Sequence, residues 1–159
     1  YFHIGDGDHF VGGAEKYRTG YVEQLRFVSE RVLRLIDALL ARASRPLVIV
    51  VQGDHGPGLR LNHDDEGKTD LRERLAILNV YRFPDGDYSR LYPSITPVNS
   101  FRVVLSRLTG QPMALLPDEV SCSRWSSPYR FVPLEPTVEG ALRVRPSAPV
   151  AAPTPSPGH

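Results

Sequence analysis

Between Glu15 and Arg42 the apolar residues Val22, Leu25, Val28, Val32, Leu35, Ile36 and Leu39 return every three or four positions. Glu23, Arg26, Glu30 and Arg34 fall between them. That spacing predicts a helix with one apolar and one charged face. It also sets Glu30 one turn from Arg34, a favourable pair. "ASRP" ends the helix, because Pro46 disfavours helical backbone at the residue before it. Residues 47–51, "LVIVV", follow without polar alternation, which is the mark of a strand covered on both faces.

A long helix followed by such a strand is half of a βαβ unit, so the expected class is α/β with a mainly parallel sheet. Residues 75–83, "LAILNVYRF", predict a second strand, stopped by "PDGD". A second helix is expected from Pro97, with Thr96 as N-cap and Gly110 closing it. Within it Val98, Phe101, Leu105 and Leu108 share a face. Beyond Gly110 short apolar pieces are broken by proline and read as coil with one edge strand. Residues 1–14 are glycine-rich loop. Residues 146–159 contain five prolines and no apolar period, the composition of a disordered tail. The expected organisation is one domain over residues 1–145 and a tail over 146–159.

Composition narrows the function classes. The 159 residues suit one domain, and 41% hydrophobic content supplies a core. With 19 basic and 18 acidic side chains there is no one-signed field to attract nucleic acid. The single cysteine, Cys122, rules out an internal disulfide framework. No apolar run is long enough to cross a bilayer, and no signal-peptide pattern is present. The chain opens on Tyr1 rather than Met, in a glycine-rich stretch without a preceding strand, and reads as part of something longer.

The chemistry concentrates where the first strand ends. Asp54 and His55 follow it in "GDHG", in the zone outside strand ends where ligands bind in open α/β sheets. A carboxylate oxygen and a neutral imidazole nitrogen suit zinc or manganese first, with calcium or magnesium as further candidates. Gly53, Gly56 and Gly58 are expected to free the backbone so that both side chains reach one point. The competing reading is a turn in which Asp54 bonds its own backbone. A phosphate-cradling loop fits poorly, since the spacing is G-x-x-G-x-G and Asp54 would repel the anion. His3 and His9 flank "GDGD" and are weaker ligand candidates. "NHDDEGKTD" over residues 62–70, including His63, lacks the spacing of a calcium loop and reads as solvated. Ser44, Ser94, Ser100 and Ser121 lack an adjacent base, and Cys122 has no histidine near it in sequence, so no nucleophile is assigned.

Taken together, "YRTGYVEQLRFVSERVLRLIDALL", "GDHG" after a strand, "LRERLAILNVYRFP" and "ITPVNSFRVVLSRLTG" resemble the alkaline phosphatase/sulfatase superfamily. The likeness runs over residues 14–133. It is strongest to sulfatase-like membrane proteins related to lipoteichoic acid synthases and phosphoethanolamine transferases. The resemblance implies an α/β/α sandwich, of which this chain is the C-terminal part. It implies that Asp54 and His55 bind a catalytic divalent metal. That metal would activate a Thr, Ser or formylglycine nucleophile against a phosphate or sulfate ester, which could be lipid-linked. The nucleophile, a further acidic ligand and a "PHxPF"-like histidine motif are not found in this chain, so the 159 residues alone are expected to be inactive. The N-terminal part of the same protein is the implied partner, and an extracytoplasmic, membrane-anchored domain the implied location. Asn99 and Arg102 of "VNSFR" read as structural. The rival class is a non-catalytic α/β binding domain in which "GDHG" is only a turn.

Overall fold

A computed structural model describes residues 10–136 and 142–145. His3, His9 and the 146–159 tail lie outside the described residues. The elements run α1 (Ala14–Arg42), β1 (Ile49–Gln52), a 3-10 turn (Glu66–Lys68), α2 (Leu71–Leu75), β2 (Asn79–Arg82), α3 (Pro97–Thr109), β3 (Val120–Arg124), β4 (Ser127–Pro136) and β5 (Leu142–Val144). Mixed α/β structure is therefore present, but both sheets among the described residues are antiparallel. β1 pairs with β2, with Gln52 opposite Asn79 and Ile49 opposite Arg82. β3, β4 and β5 form a second sheet in that order.

The mainly parallel sheet is thus corrected, for a physical reason. A parallel partner for β1 requires a crossover that carries the chain back to the other end of the sheet, usually along a helix. Residues 53–78 hold only the 3-10 turn and the five-residue α2. They leave and return at the same end of the pair, as one wide loop. The second expected strand is also shorter than residues 75–83, because Leu75 is the last residue of α2. The three-stranded sheet after Gly110 replaces the expected coil.

β1 and β2 present one face to α3. Phe83, Val103 and Val104 form the buried cluster, with Val48, Val50, Tyr81, Leu91 and Ile95 packed against it. Each such side chain contributes roughly 1.5–3 kcal/mol when fully buried. Arg107 closes one end of this cluster, 4.5 Å above the Phe83 ring and ion-paired to Asp85 and Asp87. On the other face of the pair, Val80 stays half exposed. The uniform apolar run of β1 matches its burial, since Ile49 to Gln52 are all half-buried, whereas β2 alternates and leaves Val80 and Arg82 exposed.

Helix α3 begins and ends where expected. Gly110 stands in the left-handed region at φ 69°, where a side chain is disfavoured. The start works differently from a simple cap. The Thr96 hydroxyl makes no cap bond to the helix and instead donates to Asp118 at 2.7 Å. Asp118 also accepts the Thr96 backbone N–H at 2.9 Å, Asn99 Nδ2 at 2.9 Å and the Tyr92 hydroxyl at 2.5 Å. The face of α3 that packs inward carries Asn99, Ser100, Val103, Val104 and Ser106, whereas Val98, Phe101, Leu105 and Leu108 point outward.

Partial burial pushes the Asp118 carboxyl up, but the hydrogen bonds from Tyr92, Thr96 and Asn99 outweigh it and hold it at about 2. A depressed carboxyl stabilises the fold above its ordinary value and loses that contribution as pH falls towards its folded value. Asp118→Ala is therefore expected to destabilise the chain near neutral pH. The gap from wild type should narrow as pH falls from 3.8 to about 2. Urea unfolding of both proteins across that range measures it, and a gap constant with pH would contradict the assignment.

Candidate functional site

The ladder between β1 and β2 continues one residue past Gln52, with Gly53 N–H donating to the Leu78 carbonyl at 2.9 Å. Beneath it the Gln52 side chain donates to Asn79 Oδ1 at 3.1 Å, and Asn79 donates to Ser100 Oγ at 3.4 Å. This polar ladder ties the end of β1 to the first turn of α3. Asp54 and His55 come immediately after it, so their backbone leaves a fixed point.

Gly56 sets the direction of the pair. Its N–H donates to the Arg74 carbonyl at 2.6 Å, and Arg74 Nη1 donates back to the Gly56 carbonyl at 3.1 Å. A Cβ at Gly56 would collide with the Glu73 carbonyl and lie 3.0 Å and 3.1 Å from those of Ala76 and Arg74. The expected backbone freedom of Gly53, Gly56 and Gly58 is thereby corrected. Among the described glycines only Gly86 and Gly110 have positive φ. The need at Gly56 is for close approach to α2, not for an unusual conformation.

The same carbonyl orients the imidazole. His55 Nδ1 lies 2.9 Å from the Gly56 oxygen. A carbonyl only accepts, so Nδ1 carries the proton in this bond and Nε2 keeps its lone pair when the ring is neutral. His55 Nε2 lies 3.6 Å from Asp54 Oδ2. The two side chains are 36% and 87% exposed, so the pair faces solvent. Two donors bound to one tetrahedral zinc at about 2.0–2.2 Å stand roughly 3.3–3.5 Å apart. The sequence-predicted pair is therefore brought together with donor atoms near ligand spacing. No group of three or more His, Cys, Asp or Glu side chains arranged to hold a metal occurs among the described residues. The turn reading has its own support, since Asp54 Oδ1 accepts the His55 backbone N–H at 3.0 Å.

Several other candidates have structural partners. In the 62–70 loop Asn62 Oδ1 accepts from Asp64 N–H, Asp65 Oδ1 from Gly67 N–H, and Asp70 caps α2 through Glu73 N–H, each at 3.0 Å. Arg124 grips Glu66 through Nε and Nη2, at 2.6 Å and 2.8 Å. His63 stacks on Trp125 with ring centres 4.1 Å apart. Ser100 sits buried between Thr96 and Tyr81. Burial pushes the Cys122 thiol up, away from reactivity. Asn99 and Arg102 both bond the 111–119 segment, as a structural role requires.

Arg74 escaped the sequence reading. It lies eighteen positions from the glycine it holds, and no local spacing points to it. Arg60 is similar, binding Glu73 and Asp70 at 2.9 Å and 3.0 Å and fixing α2 from the loop side.

Compared with family models, curated proteins and solved structures, the chain matches none.

Gly56→Ala is expected to destabilise the chain by roughly 1–3 kcal/mol, because the methyl meets backbone rather than a flexible side chain. Gly53→Ala should cost less, since the nearest atom to its Cβ is at an ordinary 3.6 Å. Chemical denaturation of the two variants ranks them, and equal costs would overturn the close-packing account of Gly56.

Proposed function

We propose that this chain is the C-terminal part of a metal-dependent, sulfatase-like hydrolase or phospho-group transferase acting on phosphate or sulfate esters. In this reading Asp54 and His55 supply two of the ligands. The observation that carries it is the 3.6 Å approach of His55 Nε2 to Asp54 Oδ2, with Nδ1 held by the Gly56 carbonyl. A bond from the far imidazole nitrogen to a backbone carbonyl is the usual way a histidine ligand is oriented. The donor set, one carboxylate and one imidazole, suits zinc or manganese.

The bound metal would supply Lewis-acid polarisation of the ester and a lowered pKa for the nucleophile. What this chain's own residues do is narrower. Gly56 and Arg74 fix the carbonyl that orients His55, and the Gln52–Asn79–Ser100 ladder fixes the strand end from which Asp54 projects. Two ligands fall short of the three that a catalytic zinc site takes from protein. The remaining ligand and the nucleophile are assigned to the N-terminal part of the same protein, together with a membrane anchor and an extracytoplasmic location. No helix among the described residues is long and apolar enough to cross a membrane.

Apolar surface favours this reading over a self-sufficient binding domain. The α1 stripe Val22, Leu25, Val28, Leu35 and Leu39 is 43–58% exposed, and Leu78 and Val80 at the start of β2 are more than half exposed. A further layer of the same domain would cover them, completing an α/β/α sandwich in which β1 gains a second neighbour. The alternative, a turn without chemistry, rests on the Asp54–His55 backbone bond alone.

The test uses the longer protein that carries the nucleophile. There Asp54→Ala and His55→Ala should each lower turnover of an aryl phosphate or sulfate ester by about a hundredfold or more. In the 159-residue chain zinc or manganese should bind weakly, and His55→Ala should remove that binding in calorimetry. Full ester turnover in either variant of the longer protein would defeat the assignment and leave the turn reading.

A further inference from the structure

Strand β4 is ten residues long, yet β5 pairs with it only at Leu134, Glu135 and Pro136. The edge from Ser127 to Val132 on the β5 side therefore has no strand partner among the described residues. Beside this edge lies a concavity of about 480 Å3, lined by Glu66, Arg124, Ser126, Ser127, Arg130 and Arg145 among others. Its volume is that of a small-molecule site.

The charges there do not cancel. The Arg124 fork neutralises Glu66, and its hydrogen bonds hold that carboxyl at about 2, with the Arg130 charge adding to the effect. Arg145 reaches Glu135 only at 3.8 Å, and Arg143 already holds the same carboxylate at 2.9 Å. Arg130 makes no ion pair among the described residues. The concavity is thus lined by three guanidinium groups and one carboxylate, with the Asp64 carboxylate held at its rim by the Ser126 N–H, on a chain whose formal net charge is only +1. Guanidinium forks match the oxygens of a phosphate group in pairs, and the Ser126 and Ser127 hydroxyls add further donors.

We infer that the concavity between the Glu66–Lys68 turn and the free edge of β4 binds a phosphate-class oxyanion, through Arg130 and Arg145 with Ser126 and Ser127. Neither Asp54 nor His55 lines it, so the inference stands apart from the metal reading. The anion is either a soluble phosphate ester or polyphosphate, or the headgroup of an anionic lipid. Phe131, exposed and at the same concavity, would suit the second source.

Calorimetric titration of the whole chain with pyrophosphate at low salt tests the site, with phosphatidylcholine vesicles with and without phosphatidic acid as a second arm. Saturable binding should weaken about tenfold or more in Arg130→Ala and less in Arg130→Lys, the loss expected for one charge-assisted contact. Raising the salt should weaken it further. Arg34→Ala, on exposed α1, serves as the control and should bind as wild type. Pyrophosphate binding assigns the soluble source, and binding only to phosphatidic acid vesicles assigns the headgroup. Circular dichroism confirms that each variant is folded. The inference is overturned by absence of binding in both arms, or by Arg130→Ala and Arg145→Ala both matching wild type.

Discussion

The buried amide of Asn99 is the interaction on which the rest of this structure depends. It is fully inaccessible, and every polar atom it carries is answered. The two Nδ2 hydrogens are shared among the Leu116 carbonyl at 2.8 Å, Asp118 Oδ1 at 2.9 Å and the Tyr92 hydroxyl oxygen at 3.0 Å, while Oδ1 accepts the Leu116 N–H at 2.9 Å. One side chain thereby fastens the start of α3 to the segment leading into β3. Ser100 beside it fastens the same turn to β2 through Asn79 and Tyr81. A buried polar cluster is worth having only when complete, because each unanswered group costs about 1–3 kcal/mol. Here completeness fixes α3 against the sheet, and through Asn79 and Gln52 it fixes the end of β1.

That chain of dependence explains why the order around Asp54 and His55 arises from polar contacts more than from hydrophobic packing. Above the ladder, Gly56 is wedged against the backbone of α2, and Arg74 and Arg60 hold α2 in place with charge-assisted bonds. Loops keep a functional geometry when a rigid scaffold positions them. Residues 53–78 form a loop anchored at its base by strand pairing and, three residues further, by Gly56 against α2.

What could be read from the sequence divides along the same line. Helix α1, strand β1 and the limits of α3 follow from local pattern, and Thr96 and Gly110 mark the ends of α3 because capping is a local event. The inward face of α3 did not follow. Val98, Phe101, Leu105 and Leu108 make the stronger apolar stripe, but Asn99 and Ser100 are drawn inward by partners that lie 17–21 positions away in sequence. Hydrophobic period cannot register a long-range hydrogen bond. The antiparallel pairing of β1 escaped for a related reason, since an apolar run reports burial and not the direction of its neighbour. The adjacency of Asp54 and His55 was legible; Arg74, which steadies them, was not. β4 was hidden by Pro128, Pro133 and Pro136, which break the apolar alternation that marks strands, and β3 and β5 are too short and polar to show one.

The distribution of burial weighs on the choice between a domain part and a self-sufficient module. Among the described residues the buried apolar side chains are Leu71, Phe83, Val103, Val104 and Leu134. Against them stand exposed stripes on two helices, Val22 to Leu39 on α1 and Val98 to Leu108 on α3. A solvated helix normally puts charge outward at those positions, and scattered single exposures would need no explanation. Stripes at helical spacing do. α1 carries its charges on the opposite face and so has a definite inward side, yet a named tie from it to the rest is the Tyr17 hydroxyl accepting the Gly58 N–H at 3.0 Å. That contact joins α1 to the loop of Asp54 and His55. A layer docking on the α1 stripe would therefore bear on the same loop, which is where the proposed third ligand has to arrive.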